Sequence, residues 1–176
     1  MRTMNFLGKI AKEKTKRSGK KALFLFAEML ATGCFVGKIK YASGTFGSLL
    51  AILLCIPFVK LSLFWQVFIL GFLLTCGTYA TYLYLIKLGD LKKDPKEVVI
   101  DEIFAVFLTT FLCQFITPKF EWQHCLSIFA LFRTFDIIKP YPISFVDKNI
   151  HGAKGIMLDD ILAGLASFLV FVVVYV

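Results

Sequence analysis

Long apolar runs alternate with short charged loops along this chain, and most of the acids beyond the N-terminal segment stand at or between those runs. Residues 61–86 carry no charge and, at helical rise, are long enough to cross a bilayer. Residues 41–59 form a second uncharged run, closed by Pro57. The runs are rich in Leu and Phe and punctuated by Gly and Pro, which favours helices over strands. The pattern predicts helices over about 22–36, 45–58, 62–88, 97–117, 122–138 and 157–175. Glu28 and the glycines interrupt the first, so it is expected to lie at the interface or re-enter. Pro140 and Pro142 stop the fifth, because proline lacks a donor and disfavours helix at the preceding residue. The expected fold class is all-α: a polytopic membrane helical bundle of about four spanning helices plus a short N-terminal helix, forming one domain over residues 22–176.

Composition strengthens the membrane reading. Of 176 residues, 58% are hydrophobic, which a soluble domain of this size rarely reaches. The net charge of +8 is not spread over a nucleic-acid face. Residues 1–21 carry eight basic residues and one acid, leaving twelve basic and eleven acidic residues elsewhere. That segment reads as a cytoplasmic tail suited to anionic lipid headgroups. A basic segment before residues 22–32 also has the outline of a secretory signal, but Glu28 inside the apolar part argues against one. Loop lysines set the orientation. Lys87, Lys92, Lys93 and Lys96, with Lys139, Lys148 and Lys154, fall on one side, and only Lys60 and Lys119 on the other. The first side is expected to be cytoplasmic in a multi-pass protein of the inner cell membrane. Trp65, Trp122 and Tyr175 read as interface anchors. The five cysteines form no C-x-x-C pair and imply neither zinc nor a disulfide framework.

Three polar groups converge on the expected cytoplasmic face. Asp101-Glu102 and Asp159-Asp160 are adjacent acid pairs beside apolar runs. One such pair is ordinary, since acids in a first turn complement the helix dipole. Two pairs among eleven acids favour a site. Arg133, Asp136 and Lys139 share a helix face at i, i+3, i+6. They form either a self-neutralising strip or a phosphate-holding one, with Asp136 as metal ligand or orienting partner. Carboxylates without paired Cys or His ligands suit a hard divalent cation, with Mg²⁺ the physiological choice. Ser43-Gly44-Thr45-Phe46-Gly47-Ser48 precedes an apolar helix and could offer free N–H groups, with Thr45 and Ser48, to an anion. Gly33 and Gly37 have the spacing of a close-packing motif. Lys154, in His151-Gly152-Ala153-Lys154-Gly155, is a further phosphate candidate.

Together these motifs resemble the phosphatidylglycerophosphatase A family. The matching residues are Ala31-Thr32-Gly33, Gly44-Thr45-Phe46-Gly47-Ser48, Val99-Ile100-Asp101-Glu102, Phe132-Arg133-x-x-Asp136-x-x-Lys139-Pro140-x-Pro142-Ile143, Asp147-x-x-x-His151-Gly152 and Gly155-Ile156-Met157-x-Asp159-Asp160-x-x-Ala163-Gly164. Ser43 stands where the family usually has proline, and Cys34-Phe35 replaces a more glycine-rich stretch. The resemblance implies an Mg²⁺-dependent membrane phosphatase that converts phosphatidylglycerophosphate to phosphatidylglycerol in phospholipid biosynthesis. It implies Asp101, Glu102, Asp159 and Asp160 as metal ligands, with Asp136 beside them, and Arg133, Lys139 and Lys154 on phosphate. The rival class is a non-enzymatic ion transporter with a carboxylate-lined site, whose acids should sit near the bilayer midplane. Neither the Cys-x₅-Arg loop nor the Asp-x-Asp pair of other phosphatase classes occurs.

Overall fold

The computed structural model describes residues 19–92, 94–117 and 119–175. Residues 1–18 of the basic tail, and Lys93, lie outside the described residues. The described residues are helical throughout, with no strand. Helix α1 runs to residue 31 from residue 19, where description begins. A 3₁₀ turn, Val36–Lys38, follows. Then come α2 (Ser43–Phe58), α3 (Leu63–Leu88), α4 (Ile100–Ile116), α5 (Trp122–Ile138), α6 (Ile143–Asn149) and α7 (Ala153–Tyr175).

Three expectations need correction. The first helix does not reach residue 36, because Gly33, Cys34 and Phe35 all take positive φ and turn the chain. Helix α6 was not expected after Pro142. Helix α7 begins at Ala153 rather than near 157, because Gly155 lets the first turn close against Ile150, whose carbonyl a Cβ would strike. Asp159 and Asp160 therefore sit in the second turn of α7 instead of opening it.

Helix α4 is the axis of the bundle and packs on α2, α3, α5 and α7. Its crossing with α7 is tight because Gly164 faces Ala105 and Thr109; small residues let backbones approach. Gly77 does the same for α3 against Ile100. Phe58, Leu85, Val106, Phe132 and Phe171 fill the interior. Away from the charged end, Gln66 and Gln114 exchange amide hydrogen bonds at 2.6 and 3.2 Å between α3 and α4.

The outward faces are apolar too. Leu53, Leu54, Phe64, Phe68, Phe72, Leu169 and Val173 are exposed. A water-facing helix would carry polar residues there. Helices α3 and α7, of 26 and 23 residues, are long and apolar enough to cross a membrane. At 1.5 Å per residue they span about 39 and 35 Å. Helices α2, α4 and α5, of 16 or 17 residues, reach about 24–26 Å.

Successive long helices run in opposite directions, so the starts of α2, α4 and α7 and the ends of α3 and α5 share one end of the bundle. Glu28 of α1 ties that end together. It is buried and accepts hydrogen bonds from Lys38, the last residue of the 3₁₀ turn, and from Lys87 at the end of α3, the latter at 2.5 Å. The Lys38 and Lys87 bonds hold its carboxyl below the usual range against the opposing effect of burial.

The α4–α7 contact is the most extensive helix pairing among the described residues. A Cβ at Gly164 would approach Thr109 Oγ1 to 2.7 Å, whereas one at Gly71 meets nothing within 4 Å. Gly164→Val is expected to destabilise the protein by about 1–3 kcal/mol through overpacking. Gly71→Ala should be neutral or slightly stabilising, since glycine inside a helix costs about 1 kcal/mol relative to alanine. Thermal unfolding in detergent measures both, and equal shifts would contradict the packing described here.

Candidate active site

The shared end of the bundle opens into a cavity of about 710 Å³. Asp101, Glu102, Asp136, Lys139, Asp159 and Asp160 all line it. Helix α4 supplies the first two from its opening turn, positioned where the Val99 N–H donates to the Ala31 carbonyl at 3.0 Å. Helix α7 supplies Asp159 and Asp160 across the Gly164 crossing. Helix α5 supplies Asp136, and Lys139 caps its end with a left-handed backbone.

The acids divide by how they are held. Glu102 lies between α2 and α5. Arg133 Nη1 donates to its Oε1 at 3.2 Å, and the Ser48 hydroxyl stands 3.0 Å from its Oε2. Gly44 and Gly47 form the bed beneath this carboxylate, where any Cβ would collide with it. Arg133 also donates to Asp136 Oδ2 at 2.5 Å. Lys139 donates to Asp159 Oδ2 at 2.7 Å and to Asp147 Oδ1 at 2.5 Å. Partial burial works against the charge on Lys139, but the two carboxylates outweigh it and push its pKa above the usual lysine value.

Asp101 and Asp160 have no such cation. Asp101 Oδ1, Asp159 Oδ1 and Asp160 Oδ2 are buried without a hydrogen-bond partner. Asp160 feels the charges of Asp101, Asp136, Glu102 and Asp159. A buried polar oxygen left unpaired costs about 1–3 kcal/mol, and more when charged. Among the described residues, no three His, Cys, Asp or Glu side chains are arranged as they stand to hold a metal ion. The fit to a divalent cation rests instead on the chemistry of the donors: three orphaned carboxylate oxygens, all on one cavity, and no other partner for them.

Not every candidate from the sequence reaches this cavity. Thr45 is exposed on the first turn of α2 and does not line it. Ser48 is buried behind Glu102. The Gly-Thr segment thus packs against a carboxylate of the protein itself. Lys154 and His151 line a separate, mainly apolar groove of about 700 Å³ beside Tyr79 and Tyr82 of α3. Several cavity residues were not singled out from the sequence: Asp94, Glu97, Lys40 and Lys96 line it, and Asp147 anchors Lys139. Asp147 was visible only as part of the motif ending in His151-Gly152. Gly33 and Gly37 do pack closely, but against Val99 and Glu97 in the loop before α4.

The chain as a whole is similar to known proteins. A phosphatidylglycerophosphatase A of Haemophilus influenzae is 37% identical over 149 residues, covering 84% of this chain and 88% of the relative. The Escherichia coli protein of the same name is 36% identical over 143 residues, covering 79% and 77%. A Bacteroides thetaiotaomicron protein with the provisional name phosphatidylinositol-3-phosphatase is 34% identical over 150 residues, covering 82% and 91%. No solved structure matches the chain. The profile of the phosphatidylglycerophosphatase A family matches residues 29–175, which takes in every helix from α2 to α7 and all the acids of the cavity. The chain belongs to the phosphatidylglycerophosphatase A family.

Proposed function

We propose that this protein hydrolyses the terminal phosphomonoester of phosphatidylglycerophosphate, yielding phosphatidylglycerol and inorganic phosphate for phospholipid biosynthesis. The observation that carries the reading is the set of orphaned carboxylate oxygens of Asp101, Asp159 and Asp160, on one cavity with Lys139, at one end of an apolar bundle. Family membership and the names of the relatives point the same way.

Asp101, Glu102, Asp159 and Asp160 would hold Mg²⁺. Bound there, the ion would supply the Lewis acidity and positive charge that phosphoryl transfer needs. Seven acids and four lysines line the cavity, so a dianionic phosphate would be repelled without an added cation. Arg133 does not line the cavity itself; it fixes Glu102 and Asp136, which do, so its part is to hold those carboxylates in place. Lys139 has one further proton beyond its bonds to Asp147 and Asp159. Asp136 lines the cavity and is the candidate to take the proton of the attacking water. Water oxygen then bonds to phosphorus as the bond to the glycerol oxygen breaks; that oxygen takes a proton from solvent water, and Asp136 returns its proton to solvent. Lys154, in the neighbouring groove, would meet lipid headgroups rather than the transferred phosphate.

The same reading makes the chain multi-pass. Helices α2 to α5 and α7 would cross in alternate directions, with the short α2, α4 and α5 completed by flanking polar residues. The lysine-rich end then faces the cytoplasm. An ion transporter fits less well, because the acids gather at one end of the bundle rather than midway along broken helices.

Purified protein is expected to release phosphate from phosphatidylglycerophosphate with Mg²⁺, to stop in excess EDTA and to recover when Mg²⁺ is restored. Turnover that survives exhaustive chelation would remove the metal from the mechanism. Topology is checked with single cysteines at Asn149 and Lys60 in a background lacking the native cysteines. In intact cells an impermeant thiol reagent should label the Lys60 position and spare Asn149; the reverse pattern would invert the protein in the membrane.

A further inference from the structure

The mouth of the acidic cavity is a built feature. One wall is the loop from the 3₁₀ turn to α2, and the other is the loop leading into α4. The Ser43 hydroxyl donates to the Lys96 carbonyl at 2.6 Å, joining the two. Gly37 lies so close to the Glu97 carbonyl that no side chain fits there. Tyr84 of α3 donates to the Glu97 carboxylate at 3.3 Å and holds it aside.

Four lysines line the cavity: Lys38, Lys40, Lys96 and Lys139. Lys139 is committed to Asp147 and Asp159, and Lys38 to Glu28. Among the described residues, Lys40 and Lys96 have no carboxylate partner. They come from the two loops that meet at the mouth and line the same cavity as the acids, with the Lys40 ammonium 5.6 Å from the centre of the exposed Tyr41 ring.

This arrangement has a chemical consequence that rests on the phosphatase reading above. The lipid carries two phosphates, separated by a three-carbon glycerol. The terminal phosphomonoester goes to the floor, where the cation would be held. The acyl chains must remain in the membrane, so the inner phosphodiester stops between the two, at the mouth. Its single negative charge would be repelled by the acids below and needs cations of its own. We propose that Lys40 and Lys96 bind this inner phosphodiester and so select a lipid with two phosphates over one with a phosphomonoester alone. Lysine suits this position because a hydrated point charge on a flexible stem grips a diester without imposing a fixed geometry.

The test uses purified protein with Mg²⁺ in neutral detergent micelles, which removes any attraction to an anionic membrane. Two lipids serve as inhibitors of phosphatidylglycerophosphate hydrolysis. Phosphatidylglycerol keeps the diester and lacks the phosphomonoester; phosphatidic acid is the opposite. For Lys40→Gln/Lys96→Gln, KM and the inhibition constant of phosphatidylglycerol should each rise about tenfold, the scale of losing a charge-assisted contact. The kcat and the inhibition constant of phosphatidic acid should stay at wild-type values, which also shows that the variant is folded. Lys119→Gln, at the other end of the bundle, should match wild type throughout. Equal weakening of both inhibitors would reduce the lysines to general electrostatic attraction and overturn the proposal, as would unchanged KM and phosphatidylglycerol inhibition. A wild type that releases no phosphate would instead sink the phosphatase reading, while direct binding of phosphatidylglycerol, lost in the double variant, would still uphold the lysine site.

Discussion

Buried carboxylates that face one another repel, and an uncompensated buried charge costs several kcal/mol. This fold places Asp101, Glu102, Asp159 and Asp160 on one cavity, each less than one-tenth exposed. Much of the charged end of the bundle can be understood as the means of holding them there. Glu102 is wedged between the glycines of α2 and Arg133 of α5. Asp159 is tied through Lys139 to Asp147 on α6. The remaining orphan oxygens of Asp101, Asp159 and Asp160 are the part of this arrangement that the protein leaves unbalanced. A strained polar cluster of this kind is costly to keep, and it is what a cation and a phosphate would relieve.

The apolar remainder of the chain is fitted to that cluster. Helix α4 carries acids at its start and is buried along most of its length, so its neighbours must close around it. Small residues do this at the crossings: Gly77 against Ile100, and Gly164 against Ala105 and Thr109. The outer faces of α2, α3 and α7 remain apolar, which suits hydrocarbon and not water. On the membrane reading proposed above, charge at one end and apolar surface along the sides would put the cavity where a lipid headgroup meets solvent.

Much of this was legible in the residue pattern. Helices α3 and α5 fell where apolar run length and the Pro140–Pro142 stop put them. The acid pairs and the Arg133–Lys139 strip were recognisable because charges are scarce in such runs. What was hidden depended on contacts between distant segments. The glycines of His151-Gly152-Ala153-Lys154-Gly155 read as a loop, yet Gly155 is helical because it packs on the Ile150 carbonyl. The Gly44–Gly47 spacing looked like an anion cradle, and only the packing of α2 on α4 shows that the anion beside it is Glu102. Cys34 and Phe35, which depart from a glycine-rich stretch, occupy left-handed backbone that glycine would adopt more readily. Lys96 read as an ordinary loop lysine, and only the meeting of its loop with the one that carries Lys40 brings the two to one cavity.

The central claim is that the acids of α4 and α7 form one divalent-cation site. The most direct test is the melting temperature of the purified protein in detergent, titrated with Mg²⁺ in the absence of substrate. In wild type, Mg²⁺ should raise the melting temperature in a saturable way, because it binds the folded state and relieves repulsion. In Asp160→Asn the protein should melt at or above the metal-free wild type, having lost one buried charge, and its response to Mg²⁺ should be abolished or strongly weakened. A saturable Mg²⁺ response of wild-type size in Asp160→Asn, or none in wild type, would contradict a metal centre shared by the two acid pairs.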